Sequence, residues 1–411
     1  MDFVPSPQQA QAISTIGNPE NWLRPNQFVI LAGLAGTGKT SIAPHIIEAI
    51  GARRPLFCAP TNKAAKVLTS KGLPAISLHK AMYFAPGELD PKVVRDLKKK
   101  IAEEMDPALK QDLEARLAKL EDQGFDRELA WTINPEGPAS EADLILVDEA
   151  SMVGSTLGND LMSFGKPVIA IGDPGQLPPV NDTPFFFSHE PDFLLTEIHR
   201  QARDNPIIRL AHDIREGKPL RPCTMGDRVI IAHKGEIDVP TDPETMPQVI
   251  TGTHRRRWSI TKSMRTMMGF EGDLPNAGEK LVVRKNSMAH DQLINGADAR
   301  CIKVERGVHD YSLHAVIDVD GHAVSCIAWD GPFREHQLRE PVRPKMKSPD
   351  WISSMDGERF DYGWAITCHV SQDSQWPYVL VYDKGRVFRE DAARWRYTAV
   401  SRASEYLAVI I

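Results

Sequence analysis

The chain is poor in several things at once, and each shortage removes a class of function. Its five cysteines (Cys58, Cys223, Cys301, Cys326 and Cys368) are scattered, odd in number and never spaced as a C-x-x-C pair. Such usage fits reduced thiols and argues against a disulfide scaffold or a cysteine-based zinc site. No window offers the roughly 18 uncharged apolar residues of a membrane span. The start, Met1-Asp2-Phe3-Val4-Pro5, lacks the basic-then-apolar order of a secretion signal. A cytoplasmic protein with no membrane contact is expected. An excess of basic residues is also missing. The net charge is −6, so no global positive field announces nucleic acid, although a local basic groove is compatible with that total.

What is present is an ordinary globular composition, 42% hydrophobic and 25% charged over 411 residues, enough for two or more domains. Within it, Gly33-Leu34-Ala35-Gly36-Thr37-Gly38-Lys39-Thr40 fits G-x-x-x-x-G-K-[ST] at every fixed position. An apolar run (28–32) precedes it and a helical segment (41–50) follows. Strand, glycine loop and helix in that order predict a phosphate site. The glycines let backbone N–H groups turn inward, and the helix start adds a favourable dipole. Lys39 is expected to reach the β- and γ-phosphates, and the Thr40 hydroxyl to ligate Mg²⁺.

The flanking chain supplies partners for that loop. Upstream, the Gln8 and Gln9 amides can read an adenine edge, donating and accepting at once, or simply open a solvated helix. A second buried strand (55–59) runs into Pro60-Thr61-Asn62-Lys63 and another helix; loops at strand ends are where open α/β sheets bind ligands. Ser77-Leu78-His79-Lys80 carries a lone histidine, a residue more often structural than functional. Residues 81–85 and 129–133 read as short strands around a charged helical hairpin at 91–123. The run 144–147 then ends in Asp148-Glu149. Burying adjacent acids is costly without compensation, which a nucleotide-bound Mg²⁺ supplies. Asp148 is expected to hold that ion, and Glu149 to orient or deprotonate the attacking water. Strand 168–171 leads to a rigid Gly/Pro loop, in which Gln176 can sense the γ-phosphate or its water.

A second α/β set follows from Asn205-Pro206 through 229–231 and 249–253, with Arg255-Arg256-Arg257-Trp258 suited to phosphate contacts and base stacking. Residues 270–340 change to short alternating strands split by turns such as Asn295-Gly296, Asp320-Gly321 and Asp330-Gly331, a pattern for a small inserted β-barrel. The tail, from Trp364 on, returns to α/β.

The order of these motifs resembles superfamily 1 DNA helicases, in particular the RecD/Dda-like branch. The series covers nearly the whole chain: GLAGTGKT, APTNKAA, SLHK, LVDEAS, GDPGQLPPV, EIHRQ, TCHVSQ and YTAVSRA. The resemblance implies an α/β fold of two RecA-like parallel-sheet domains. Residues 1–80 and 140–190 would form the first, with a β-hairpin and helical pin insert at 81–139. Residues 191–269 and 361–411 would form the second, with a small SH3-like β-barrel at 270–360. It implies ATP and Mg²⁺ as cofactors and a 5′→3′ ATP-dependent DNA helicase, in a bacterial or phage-infected cell. Gln9 (or Gln8, one register earlier) would read adenine. Gly33, Ala35, Gly36, Thr37, Gly38, Lys39 and Thr40 would bind nucleotide, and Thr40 and Asp148 the metal. Glu149 and Gln176 would serve hydrolysis, with Arg200 and Arg402 as arginine fingers.

For the implied DNA path, the motif positions name Thr61, Asn62, His79, Thr251, Thr253 and His369. Tyr83, Phe84 or Trp131 would supply a wedge at the pin, or else pack in the core. Single-stranded DNA and single/double-strand junctions are the implied partners, with single-strand-binding or replication and recombination proteins beyond them and a monomer as the working form. Two features depart from the family. His369-Val370-Ser371-Gln372-Asp373 stands where the family usually has His-Lys-Ser-Gln-Gly, and the 91–123 insert is long for a pin. The first departure keeps open a DNA-dependent ATPase that displaces proteins without unwinding. A small-molecule P-loop kinase is disfavoured by the second α/β set.

Overall fold

The computed structural model describes residues 4–18, 20, 28–84, 99, 101, 110, 131–180, 182–197, 204–240, 242–343, 357–383 and 385–411. Backbone contacts divide the chain into two compact units. The first holds Met1–Ala32, Lys39–Gly172 and Pro178–Leu195; the second holds Gly33–Gly38, Asp173–Leu177 and Thr196–Ile411. No helix among the described residues is long and apolar enough to cross a membrane.

The uninterrupted apolar runs of the first half become strands β1 (Phe28–Gly33), β2 (Pro55–Ala59), β3 (Ala75–Ser77), β4 (Leu144–Val147), β5 (Val168–Gly172) and β6 (Phe193–Leu195). Their order is β3-β2-β4-β5-β1-β6, with β1 to β5 paired in parallel. Continuous hydrophobicity follows from burial on both faces. Val29 and Leu31 enter one core with Ile46 and Leu68, while Ile30 enters the other with Leu78 and Leu161. Each such side chain contributes roughly 1.5–3 kcal/mol when fully buried. β5 separates β1, which leads into the glycine loop, from β4, which leads into the paired acids.

Helices start where short polar side chains can satisfy otherwise orphaned N–H groups. Ser6 and Gln9 form a reciprocal capping box on the helix Pro7–Ile16. Thr61 caps Asn62–Ser70, and Ser77 caps Leu78–Met82. The last of these changes the expected pattern. Ala81 and Met82 end a helix instead of starting a strand, and Tyr83 makes only a single antiparallel bridge to Ile133. The Ser77 cap prevails over the local apolar run. The helical insert at 91–123 lies almost wholly outside the described residues, as do Leu129 and Ala130.

The second unit repeats the plan with β7 (Cys223–Met225), β8 (Val229–Ala232) and β9 (Gln248–Thr251), and later β15 (Ala365–Thr367), β16 (Trp376–Tyr382) and β17 (Ala403–Ile410). The order β15-β9-β16-β17-β8-β7 is parallel except for β7 against β8. Helices Pro206–Arg215 and Ala392–Val400 pack on one face, through Leu210, Trp395 and Val400. The other face, with Val249 and Leu380, shares its core with an antiparallel sheet. That sheet contains β10 (Lys280–Val283), β11 (Asp298–Arg306), β12 (Ser312–Val319), β13 (His322–Trp329) and β14 (Phe360–Tyr362). The Asp320-Gly321 turn joins β12 to β13 with both residues at positive φ, the geometry a two-residue hairpin needs. Glu358 bonds Trp329 N–H and Ile327 O, which joins the two edges. Asp330-Gly331, expected to turn between strands, instead opens the helix Gly331–Leu338.

One glycine reports how tightly the first unit is packed. A Cβ on Gly158, inside the helix Ser155–Ser163, would lie 2.1 Å from the Phe185 ring. Alanine normally favours a helix, but here overpacking costs about 1–3 kcal/mol. Gly158→Ala is therefore expected to lower the unfolding midpoint in a denaturant titration; a higher midpoint would show the ring free to move.

Candidate nucleotide and DNA site

Backbone conformation shapes the glycine loop. Gly36 and Gly38 take φ of 80° and 67°, a left-handed region that side chains resist. The Thr37 N–H and hydroxyl both donate to Leu34 O, at 3.3 and 2.8 Å. A tight turn at Thr40–Ile42 continues into the helix Ala43–Ile50, so Lys39 and Thr40 stand at a helix entrance, where anions are favoured.

Asp148 leaves the end of β4 and is 5% exposed. One carboxylate oxygen accepts the Thr40 hydroxyl at 3.0 Å and the other accepts Glu149 N–H at 2.9 Å. Burial pushes its pKa up to about 6; the Glu149 charge adds to the rise, and the Lys39 ammonium opposes it. Glu149 itself has φ 52°, a conformation that costs an L-residue about 1–2 kcal/mol and recurs at functional positions. The Thr40 hydroxyl and the Asp148 carboxylate form an all-oxygen donor pair, which suits Mg²⁺ completing its shell with water and substrate phosphates.

The second unit holds a buried polar chain that sequence reasoning passed over. Asp173, 1% exposed, accepts the Tyr397 hydroxyl at 2.6 Å and Gly175 N–H at 2.9 Å. The Tyr397 oxygen in turn accepts Ala35 N–H at 2.9 Å. Burial and the Asp173 charge push the Tyr397 hydroxyl well above its usual pKa. Thr398 accepts Leu177 N–H at 3.0 Å, and the Gln372 amide donates to Leu177 O at 3.2 Å. Gln176, between these anchors, is buried. The available signal was a pair of hydroxyls, Tyr397 and Thr398, within an otherwise apolar turn. Arg402 is also buried. Its Nε donates to Thr398 O at 3.0 Å and an Nη to the Ser401 hydroxyl at 2.9 Å. Arg200 lies outside the described residues.

Residues 5–232, more than half of the chain, match the AAA domain family, and residues 362–410 match the UvrD-like helicase C-terminal domain. The chain belongs to the AAA domain family. Part of the chain is also similar to two curated relatives of the RecD and dda kind that its motifs resemble. It is 31% identical over 203 residues to the ATP-dependent RecD2 DNA helicase of Deinococcus radiodurans, covering 47% of this chain and 22% of that protein. It is 29% identical over 204 residues to the ATP-dependent DNA helicase dda of Enterobacteria phage T4, covering 46% and 38%. The matched stretch thus spans well under half of either relative. Among solved structures, Pif1 helicase from Candida albicans shares the fold at TM-score 0.53 and 18% identity, over 100% of this chain and 94% of that one. Bacteroides Pif1 bound to ssDNA does so at 0.54 and 16%, over 99% and 92%.

The positions that the family motifs assign to DNA divide by burial. Thr61, Asn62, His79, Phe84, Thr253 and His369 are partly accessible, and Trp131 is 44% exposed. Thr251 is fully buried. Tyr83 is buried too, its hydroxyl donating to Asp160 at 2.5 Å. His79 and Trp131 form a ring cluster 4.6 Å apart, and burial lowers the His79 pKa. Arg257 and Trp258, read as phosphate-contact and stacking candidates, are 2% and 4% exposed and face inward. The basic run lies on a helix, whose period turns these two residues to the core. In the capping box Gln9 uses its side-chain oxygen on Ser6 N–H at 2.9 Å, so adenine reading by Gln9 must keep or exchange that bond.

The departure at Asp373 also has a structural content. Asp373 has φ 60°, a left-handed conformation that glycine takes without steric cost. Asp373→Gly is expected to raise stability by up to about 1 kcal/mol; a lower unfolding midpoint would show that the Asp373 side chain secures the loop.

The raised pKa of Asp148 gives a pH-dependent prediction with a defined sign. Its folded value exceeds the unfolded one, so its stabilising share is present at low pH and lost as pH rises through about 6. Without nucleotide, Asp148→Asn should be more stable than the parent at pH 8, on the order of 2 kcal/mol, and about equal at pH 4. Thermal unfolding at the two pH values checks it, and an equal difference at both would remove the assignment.

Proposed function

We propose that the chain is an ATP-dependent DNA helicase that moves 5′ to 3′ on single-stranded DNA and separates duplex strands. The observation that carries this is the buried Asp148 carboxylate held against Thr40 beside Lys39, directly downstream of the glycine loop. The RecD2 and dda relatives are named as ATP-dependent DNA helicases, and a Pif1 neighbour of the same fold is described as bound to ssDNA.

In this reading, Lys39 and the loop N–H groups hold the β- and γ-phosphates. Thr40 and Asp148 hold Mg²⁺, which supplies charge neutralisation at the transferring phosphoryl group. Glu149 takes the proton of the attacking water, aimed by its left-handed backbone. Gln176 reports the γ-phosphate through the Asp173–Leu177 segment to Thr398 and Gln372. Arg200 and Arg402 act as arginine fingers, each capable of about 10³–10⁵ in rate; for Arg402 this requires exchanging its bonds to Thr398 and Ser401. Residues 1–80 and 140–190 form the first RecA-like domain, and 191–269 with 361–411 the second. Residues 81–139 are the pin and 270–360 an SH3-like insert. DNA runs along Thr61, Asn62, His79, Thr253 and His369, with Trp131 the best-exposed wedge. Base stacking of about 1–3 kcal/mol is comparable to one duplex step of about 1.4 kcal/mol, so sustained opening draws on ATP. A second reading, a DNA-dependent ATPase that displaces proteins without unwinding, is favoured by Val370 standing where the family has lysine.

The test is unwinding of one duplex bearing a 5′ or a 3′ single-stranded tail. Opening from the 5′ tail alone is expected, with Lys39→Ala inactive in hydrolysis yet still binding DNA. Opening only from the 3′ tail overturns the polarity. DNA-stimulated hydrolysis without opening selects the second reading. Parental-rate hydrolysis by Lys39→Ala overturns the ATP site.

A further inference from the structure

The second unit contains a buried ionic cluster that takes no part in the nucleotide and DNA assignments above. Arg257, one turn into the helix His254–Met267, is 2% exposed, and Asp361, on β14, is 1% exposed. The Arg257 guanidinium bonds the Asp361 carboxylate directly and lies 3.7 Å from Glu335. The other Asp361 oxygen accepts His336 Nε2 at 2.7 Å and Tyr362 N–H at 2.8 Å. His336 and Glu335 lie on the helix Gly331–Leu338. The His336 ring packs edge-on against Tyr362 at 4.9 Å, with Trp258 at 6.5 Å. Burial lowers the His336 pKa, while the Arg257 and His336 charges hold Asp361 far below the usual carboxylate range despite complete burial.

The location gives the cluster its meaning. β14 is the last strand of the antiparallel sheet, and β15, the edge strand of the parallel sheet, begins three residues after Tyr362. Asp361 therefore sits at the covalent crossing from one sheet to the other. Arg257 reaches it from the helix that Thr253 caps through Arg256 N–H, and His336 from the helix that follows β13. An apolar pair of similar volume is often as stable as a buried ion pair, so extra stability does not account for the charges. Directional bonds fix a register that greasy contacts leave adjustable.

We propose that Arg257, Asp361 and His336 form a clasp that fixes the register of the antiparallel sheet against the Thr253-capped helix. Through that register, hydrolysis is converted into strand separation. The three are positioning residues, and the coupling role rests on the helicase reading given above.

The test uses the full chain with Asp361→Asn, Arg257→Lys and the apolar pair Arg257→Met with Asp361→Leu. DNA-stimulated hydrolysis is expected to stay within about threefold of the parent while 5′-tailed unwinding falls about tenfold or more. The apolar pair, which removes both ends of the Arg257–Asp361 ion pair together, is expected to keep the fold and show the same split. Equal loss of both activities, or loss of neither, overturns the proposal. A second readout is independent of activity. Spin labels at Met288→Cys and Glu405→Cys, both exposed positions, in a Cys223→Ser background should give a narrow distance distribution that broadens in Asp361→Asn and in the apolar pair. An unchanged distribution overturns the clasp. A parental chain with no DNA-stimulated hydrolysis overturns the helicase reading instead, and the label distances still decide the clasp.

Discussion

Removing a carboxylate from water is the constraint around which both units are arranged. Asp148, Asp173 and Asp361 are all nearly inaccessible, and each receives a different settlement. Asp361 is surrounded by Arg257 and His336 and held ionised. Asp173 is held by the Tyr397 hydroxyl and by Gly175 N–H. For Asp148, burial and the acid neighbour Glu149 outweigh the Lys39 ammonium and the bonds from Glu149 N–H and the Thr40 hydroxyl, so its pKa rises to about 6. The same burial that costs free energy leaves this position, with Glu149 beside it, short of positive charge. A deficit of that kind is what a cation brought by a nucleotide can fill.

The sheets explain why the deficit falls where it does. In a parallel sheet covered on both faces, only the strand ends are accessible to ligands. β4 delivers Asp148 to such an end, β1 runs into the glycine loop, and β5 lies between them. The strand order thus determines which residues can share one ligand, while the apolar clusters on both faces fix the strands. The second unit places a helical layer on one face of its parallel sheet and an antiparallel sheet on the other. This leaves the step from β14 to β15 as a junction that polar contacts can define.

Positive φ is a second thread through the molecule. Gly36 and Gly38 take it at no steric cost, whereas Glu149 and Asp373 take it against their own preference. At Glu149 the strain falls on the residue directly after the buried Asp148. At Asp373 it falls where the resembled family usually has glycine, the residue that takes this conformation without steric cost. The neighbouring Gln372 uses its amide on Leu177, which gives that motif a part in holding the Asp173–Leu177 segment.

Much was legible in the order of residues, because local chemistry carries it. Uninterrupted apolar runs mark buried parallel strands, Asp320-Gly321 marks a hairpin, and Thr40 after the glycine loop and Asp148 after β4 come within a hydrogen bond of each other. The remainder depends on partners distant in sequence. The helical period puts Arg257 and Trp258 on one face, but which face is enclosed is decided by Asp361 and His336, about eighty to a hundred residues later. Tyr397 does not announce its bond to Asp173, nor Tyr83 its bond to Asp160. Thr251 matches its motif and is nonetheless fully enclosed. Motifs specify which groups are present. Burial, charge pairing and hydrogen-bond partners arise only when strands far apart in the chain become neighbours, and these decide which groups remain accessible for chemistry.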